Sequence, residues 1–178
     1  MSKIGKKNIL VPSDVKVEIK DDKINLEGPK GKKSLEINKE HLNVTFSDGK
    51  ISVAPNGQKN QNKIIWGLQR SLINNAVIGV GKGYTQTLKL NGVGFRANLK
   101  GKQLQLQLGF SHDIIYDIPE GIEIKVDKQT TIIINGVDKE LVGKTVADIK
   151  FYKPVEPYKQ KGITSEGQFI LKKEGKKK

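Results

Sequence analysis

Between residues 15 and 54 apolar and polar positions alternate in short runs: Val15, Val17 and Ile19, then Ile24 and Leu26, Leu35 and Ile37, Val44 and Phe46, Ile51 and Val53. A period of two sends every second side chain to the same face, so these runs predict strands with one face buried. Asp21-Asp22 and Asp48-Gly49 supply turn chemistry between them. From Gln61 to about Ile78 the period changes. Ile64, Ile65, Leu68, Leu72, Ala76 and Val80 recur at helical spacing, and Gly79, Gly81 and Gly83 end the run.

After these glycines the same order begins again. Leu88 and Leu90, then Phe95, Ala97 and Leu99, then Leu104, Leu106 and Leu108 read as strands, with a hairpin turn at Lys100-Gly101. Ile114 to Ile118, Ile122 to Val126 and Thr131 to Ile134 continue the series. A second amphipathic helix follows, capped by Asp138, with Leu141, Val142, Val146 and Ile149 on one face until Pro154 stops it. A shift of 80 residues lays Ile24 and Leu26 onto Leu104 and Leu106, and Leu42 and Val44 onto Ile122 and Ile124. The pattern predicts two small α+β domains repeating one design: an N-terminal repeat over residues 1–82 and a C-terminal repeat over 83–178.

Charge then sharpens the picture. The 178 residues hold 32 basic and 19 acidic side chains, a formal net charge of +13, so polyanions are the natural partners. Residues 150–178 concentrate the excess, with nine lysines against three glutamates. Within them, Lys153, Pro154, Pro157, Tyr158, Lys159, Lys161 and Gly162 predict an extended basic strip that tracks phosphates, because proline fixes φ and removes donors. Only Arg70 and Arg96 are arginines. Arginine is the fork that reads guanine edges, so this chain suits phosphate contact and shape recognition more than base-by-base readout.

Other chemistries find little support. Without cysteine there is no disulfide or thiol chemistry, and a structural zinc site is not expected. His41 and His112 fall in different predicted domains, and Ser111 and His112 are strand neighbours pointing to opposite faces. Asp113 and Asp117 read as exposed charges. The segment Gly28-Pro29-Lys30-Gly31-Lys32-Lys33 lies between strands, which makes it a hairpin tip, and a candidate RNA contact, and not a phosphate-binding loop. Asn91-Gly92-Val93-Gly94-Phe95-Arg96 begins a strand instead of opening a helix, and its glycines predict a bulge or close backbone approach. The lone Trp66 is assigned to the core or a domain interface. No apolar run reaches a membrane span and no leader follows the charged start, so neither a secreted nor a membrane protein is expected. A lysine tail on anionic lipid and a β-rich enzyme acting on a polyanion are the competing readings; the first lacks a second anchoring signal and the second a catalytic cluster.

Taken in order, several motifs carry a specific resemblance: Ile4-Gly5-Lys6-Lys7 with Val11-Pro12, Gly28-Pro29-Lys30-Gly31, Arg70-Ser71-Leu72, and Gly81-Lys82-Gly83-Tyr84. They continue with Leu90 to Ala97, Leu108-Gly109-Phe110-Ser111-His112, Ile118-Pro119-Glu120-Gly121-Ile122, and Glu156-Pro157-Tyr158-Lys159-Gln160-Lys161-Gly162-Ile163. With these the chain resembles the large-subunit ribosomal protein six family in its bacterial form. The resemblance implies two homologous α+β domains, each with short antiparallel or mixed sheets and one helix around a single core. It also implies a structural constituent of the large ribosomal subunit with no enzymatic activity, cofactor or metal. By the resemblance, large-subunit ribosomal RNA is bound mainly through the C-terminal domain and a basic tail of about residues 151–178. Neighbouring large-subunit proteins and docking translational GTPases would lie close by. Lys153, Tyr158, Lys159, Lys161 and Gly162 match the family's RNA-contact motif; Lys172, Lys173, Lys176, Lys177 and Lys178 match its tail. The family has glycine or alanine where this chain has Gln160, and arginine and tyrosine in place of Thr164 and Ser165. The expected location is the cytoplasmic ribosome, or an organellar ribosome if the chain is organelle-encoded. Deleting residues 151–178 is expected to leave both domains folded while weakening RNA binding.

Overall fold

The computed structural model describes residues 3–20, 22–57 and 60–176, so the turn residue Asp21 lies outside it. The chain divides into two compact units, one running up to Tyr84 and taking in Val137–Lys139, the other comprising Thr85–Gly136 and the chain from Glu140 onward.

In the first unit the elements are β1 (Ile9–Leu10), β2 (Lys16–Lys20), β3 (Lys23–Gly28), β4 (Gly31–Glu36), β5 (Leu42–Ser47), β6 (Lys50–Pro55) and α1 (Asn60–Gly81). They form two antiparallel three-stranded sheets, β1-β6-β5 and β2-β3-β4. Asp48 and Gly49 both take positive φ, 49° and 69°, between paired Ser47 and Lys50. That two-residue geometry matches the twist of a tight hairpin. Ile24, Leu26 and Ile51 from the sheets meet Ile73 and Val80 from α1 in one buried cluster.

The second unit has β7 (Tyr84–Asn91), β8 (Arg96–Lys100), β9 (Gln103–Gln107), β10 (Ile114–Asp117), β11 (Ile122–Asp127), β12 (Thr131–Gly136), α2 (Lys139–Tyr152) and β13 (Gly162–Ser165). Its sheets are β10-β9-β8 and β11-β12-β7-β13. Element for element, β7 to β12 and α2 repeat β1 to β6 and α1, with β9 central in its sheet as β3 is in its own. The overlaid pairs Ile24 with Leu104 and Leu26 with Leu106 are all buried. The repeat is therefore real at the level of topology, and β13 is the one addition.

Helix α1 differs from expectation in which face it buries. Ile64, Leu68 and Leu72 are exposed, at 74%, 59% and 37%. The inward stripe instead runs through Asn62, Trp66, Gln69, Ile73, Ala76, Val77 and Val80. Two of these are amides, and each finds a main-chain acceptor: Asn62 Nδ2 donates to the Asn56 carbonyl and Gln69 Nε2 to the Glu36 carbonyl at 2.6 Å. Burial is tolerated because the donors are satisfied, and an apolar-periodicity argument passes over such positions. Trp66 is a core residue, with Nε1 donating to the Val53 carbonyl at 2.6 Å. Helix α2 buries Val142, Thr145 and Ile149, while Leu141 and Val146 are only half-buried.

Gly79 in α1 gives a sharp test of packing against propensity. A methyl group there would drive into the main-chain carbonyl of Val137. Alanine gains about 1 kcal/mol as a helix former, but a Cβ driven into a main-chain carbonyl falls at the upper end of what overpacking costs, about 2–3 kcal/mol. Gly79→Ala should therefore lower the thermal midpoint by about 2–6 °C, measured by circular dichroism; a higher midpoint would show that propensity wins.

Candidate nucleic-acid interface

After α2 the chain does not stay extended. Ile163 N donates to the Lys153 carbonyl at 3.0 Å, Glu156 N to Lys161 at 2.9 Å and Gln160 N to Glu156 at 2.9 Å, closing residues 153–163 into a compact loop. The extended strip predicted from the prolines is corrected by these bonds. Pro157, Tyr158 and Lys159 form a turn, and Gln160 accepts a left-handed φ of 55°. Glycine at that position would take the same geometry without the Cβ clash that any other residue meets there, so Gln160 is accommodated at a modest local strain.

Gly162 makes the closure possible. It is buried, its φ is 140°, and a Cβ there would stand 2.7 Å from both the Pro154 carbonyl oxygen and the Val155 Cα. From Gly162 the chain enters β13 and pairs antiparallel with β7, Gly162 opposite Asn91 and Ile163 opposite Leu90. Ile163 is fully buried. Thr164, where the family carries arginine, is turned inward, its hydroxyl donating to the Lys89 carbonyl at 3.3 Å. The segment from residue 151 thus contains the end of α2, a closed loop and a core strand. Removing all of it would strip Ile163 from the second unit, which corrects the expectation that this deletion leaves both domains folded.

Three loops of the second unit meet at this end. Residues 92–95 follow Asn91, and the ring of buried Phe95 lies 2.8 Å from where a Gly92 Cβ would stand and 3.3 Å from that of Gly109. Leu108 is buried, while Phe110 just beyond Gly109 is exposed. Lys153 places Nζ 4.3 Å from the centroid of the Phe110 ring, a cation–π distance. His112 lies alongside, its ring 6.4 Å from that of Phe110 and inclined by 25°. Val93 stands fully out at its loop tip.

Lys159, Lys161 and Tyr158 are exposed on the closed loop, and Lys172, Lys173 and Lys176 are exposed beyond it. The Lys173 amide donates to the Pro157 carbonyl at 3.0 Å, tying the tail to the loop. Lys177 and Lys178 lie outside the described residues. Among the described residues, none of Lys153, Lys159, Lys161, Lys172, Lys173 and Lys176 is held in an ion pair. The hairpin tip at Gly28–Lys33 is different. Lys32 pairs with Glu27 at 2.7 Å and holds that carboxyl below its ordinary range, and Lys33 pairs with Asp138. Most of that tip's charge is already matched. Among the described residues no cluster of three or more histidine or carboxylate side chains is placed to hold a metal.

Sequence reasoning assigned no role to Phe110, His112 and Val93. The available signal was an aromatic directly after the glycine that ends a strand pattern. Asp113 and Asp117 are exposed and accept hydrogen bonds from Gln105 at 2.5 Å and Gln103 at 2.8 Å, as solvated carboxylates do.

Comparison with known proteins adds a family. A family model described as ribosomal protein L6 matches residues 11–83 and 91–166. The chain is 45% identical over 178 residues to the large ribosomal subunit protein uL6 of Sphingopyxis alaskensis, covering all of both chains. It is similar to the proteins of the same name from Rhodopseudomonas palustris, at 46%, and Zymomonas mobilis, at 47%, again over the full length of each.

The loop closure predicts a contrast between neighbours. Gly162→Ala places a methyl group against backbone at an unfavourable φ and should cost about 1–3 kcal/mol, read as a lowered urea midpoint. Gln160→Gly should leave the midpoint within about 0.5 kcal/mol of the parent, since relief of the left-handed residue offsets the added freedom of the unfolded chain. Equal effects of the two would mean that the close approach at Gly162 does not govern the loop.

Proposed function

The chain belongs to the ribosomal protein L6 family and is a structural constituent of the large ribosomal subunit, and we propose that it binds large-subunit ribosomal RNA mainly through its C-terminal repeat and lysine-rich tail. It is not an enzyme, as its relatives are ribosomal proteins. The observation that carries the proposal is the closed loop with its tail, where lysines without acidic partners gather at one end of the second unit beside exposed aromatic rings. Each ammonium that meets a phosphate releases condensed counterions, which supplies affinity without reading sequence. Thirty lysines against two arginines suit this mode. Recognition then comes from the contour of folded RNA.

In this reading the N-terminal repeat ends at residue 82 and the C-terminal repeat begins at 83. Lys153, Tyr158, Lys159, Lys161 and the tail lysines face the RNA, and Gly162 serves by shaping the loop that presents them. Other large-subunit proteins are neighbours, and the bound RNA lies close to where translational GTPases dock. The protein works in the cytoplasmic ribosome, or in an organelle's own ribosomes if it is encoded there.

A truncation that spares β13 tests the tail. Removing residues 167–178 deletes five lysines, Lys172, Lys173, Lys176, Lys177 and Lys178. Filter binding of a large-subunit rRNA transcript across a salt series should show weaker binding and a slope of log K against log salt shallower by up to about 4. An unchanged slope would remove the tail from the interface, and a full-length protein that ignores the transcript at low salt would overturn the proposal.

A further inference from the structure

Resting on the RNA-binding reading above, we infer that Phe110, with His112 beside it, is a stacking platform for one unpaired base of the bound RNA, and that Lys153 takes the phosphate next to that base. Three observations carry this. First, the chain throws the ring outward: Leu108 is buried, Gly109 turns with φ 73°, and Phe110 is 44% exposed. A single exposed ring is ordinary, but here the exposed His112 ring lies 6.4 Å from it, so the aromatic surface is contiguous. Second, the loop is firmly seated, because Gly109 lies against the buried Phe95 ring, so little ordering is needed when a ligand arrives.

Third, the neighbourhood is basic and flat. Lys153 Nζ lies 4.3 Å from the centroid of the Phe110 ring, and the exposed His112 ring is inclined to that ring by only 25°, so a planar partner would meet a pair of nearly parallel rings beside an ammonium. Bases offer π faces and carry a phosphate one bond system away, so an aromatic shelf with an adjacent ammonium matches a single nucleotide in both parts. An apolar protein partner would use the ring but would leave Lys153, Lys159 and Lys161 with no opposite charge. RNA uses both.

The test compares Phe110→Leu, which keeps apolar bulk without a flat face, with Phe110→Tyr, which keeps the ring. Lys153→Gln serves as the charge control. Affinity for a large-subunit rRNA transcript is measured by filter binding over a salt series, on full-length protein whose melting point is checked for each variant. Stacking predicts about tenfold weaker binding for Phe110→Leu with an unchanged salt slope, and near-parental binding for Phe110→Tyr. Lys153→Gln should lower the slope by about 1. The inference is overturned if Phe110→Leu binds as tightly as the parent, or if it loses slope as Lys153→Gln does, which would make the ring only a seat for the lysine. It is overturned too if Phe110→Leu binds the transcript normally yet fails to enter large subunits, since the ring would then meet a protein. Failure of the parent protein to bind the transcript is a distinct result, and it removes the RNA reading itself.

Discussion

The close approach of Gly162 to the Pro154 carbonyl holds the lysine-rich end of the second unit together. It lets the chain leave α2, turn through Pro157 to Lys159 and return as β13 within a few residues, with Ile163 locked into the core. Lysines on a free tail would each lose rotamer freedom and backbone freedom on meeting RNA. On a loop closed by three main-chain hydrogen bonds, the backbone share of that loss is already met by folding. Charge placement is thus inherited from the packing of one isoleucine and the missing side chain of one glycine.

The two units show how one topology is put to different uses. Each lays a helix against two small sheets, and corresponding strands occupy corresponding places in their sheets. In the first, two of the three lysines at the β3–β4 hairpin, Lys32 and Lys33, are matched by Glu27 and Asp138. In the second, the lysines of the loop after α2, which has no equivalent in the first unit, are held in no ion pair among the described residues. The two units share buried apolar positions in their central strands, Ile24 and Leu26 in β3 and Leu104 and Leu106 in β9, and differ in surface pairing and in the strand β13.

The α+β repeat was legible in the sequence because alternation and helical spacing are set by burial, and Ile24, Leu26, Leu104 and Leu106 all lie where the pattern puts them. The buried face of α1 was not, since Asn62 and Gln69 turn inward only because the Asn56 and Glu36 carbonyls are there to receive them, a fact of tertiary structure. Strand β13 was hidden for another reason: a four-residue segment with one large apolar residue, inside a lysine-rich stretch, has no period to detect. The basic loop was legible as charge and not as shape. Proline composition argued for extension, and the left-handed turn at Gln160 with the clearance at Gly162 decided otherwise.

Strand β13 also has a consequence for the molecule away from any partner. Placed beyond β7 in the order β11-β12-β7-β13, it occupies hydrogen-bonding groups along half of an eight-residue strand that would otherwise stand at the rim of the sheet. Unprotected rims recruit strands from other chains and seed aggregates. The counterpart of β7 in the first unit, β1, spans only two residues and leaves far less open ladder. With β13 in place, the rim of the sheet is a strand of four residues, and so short a rim offers little ladder for another chain to join.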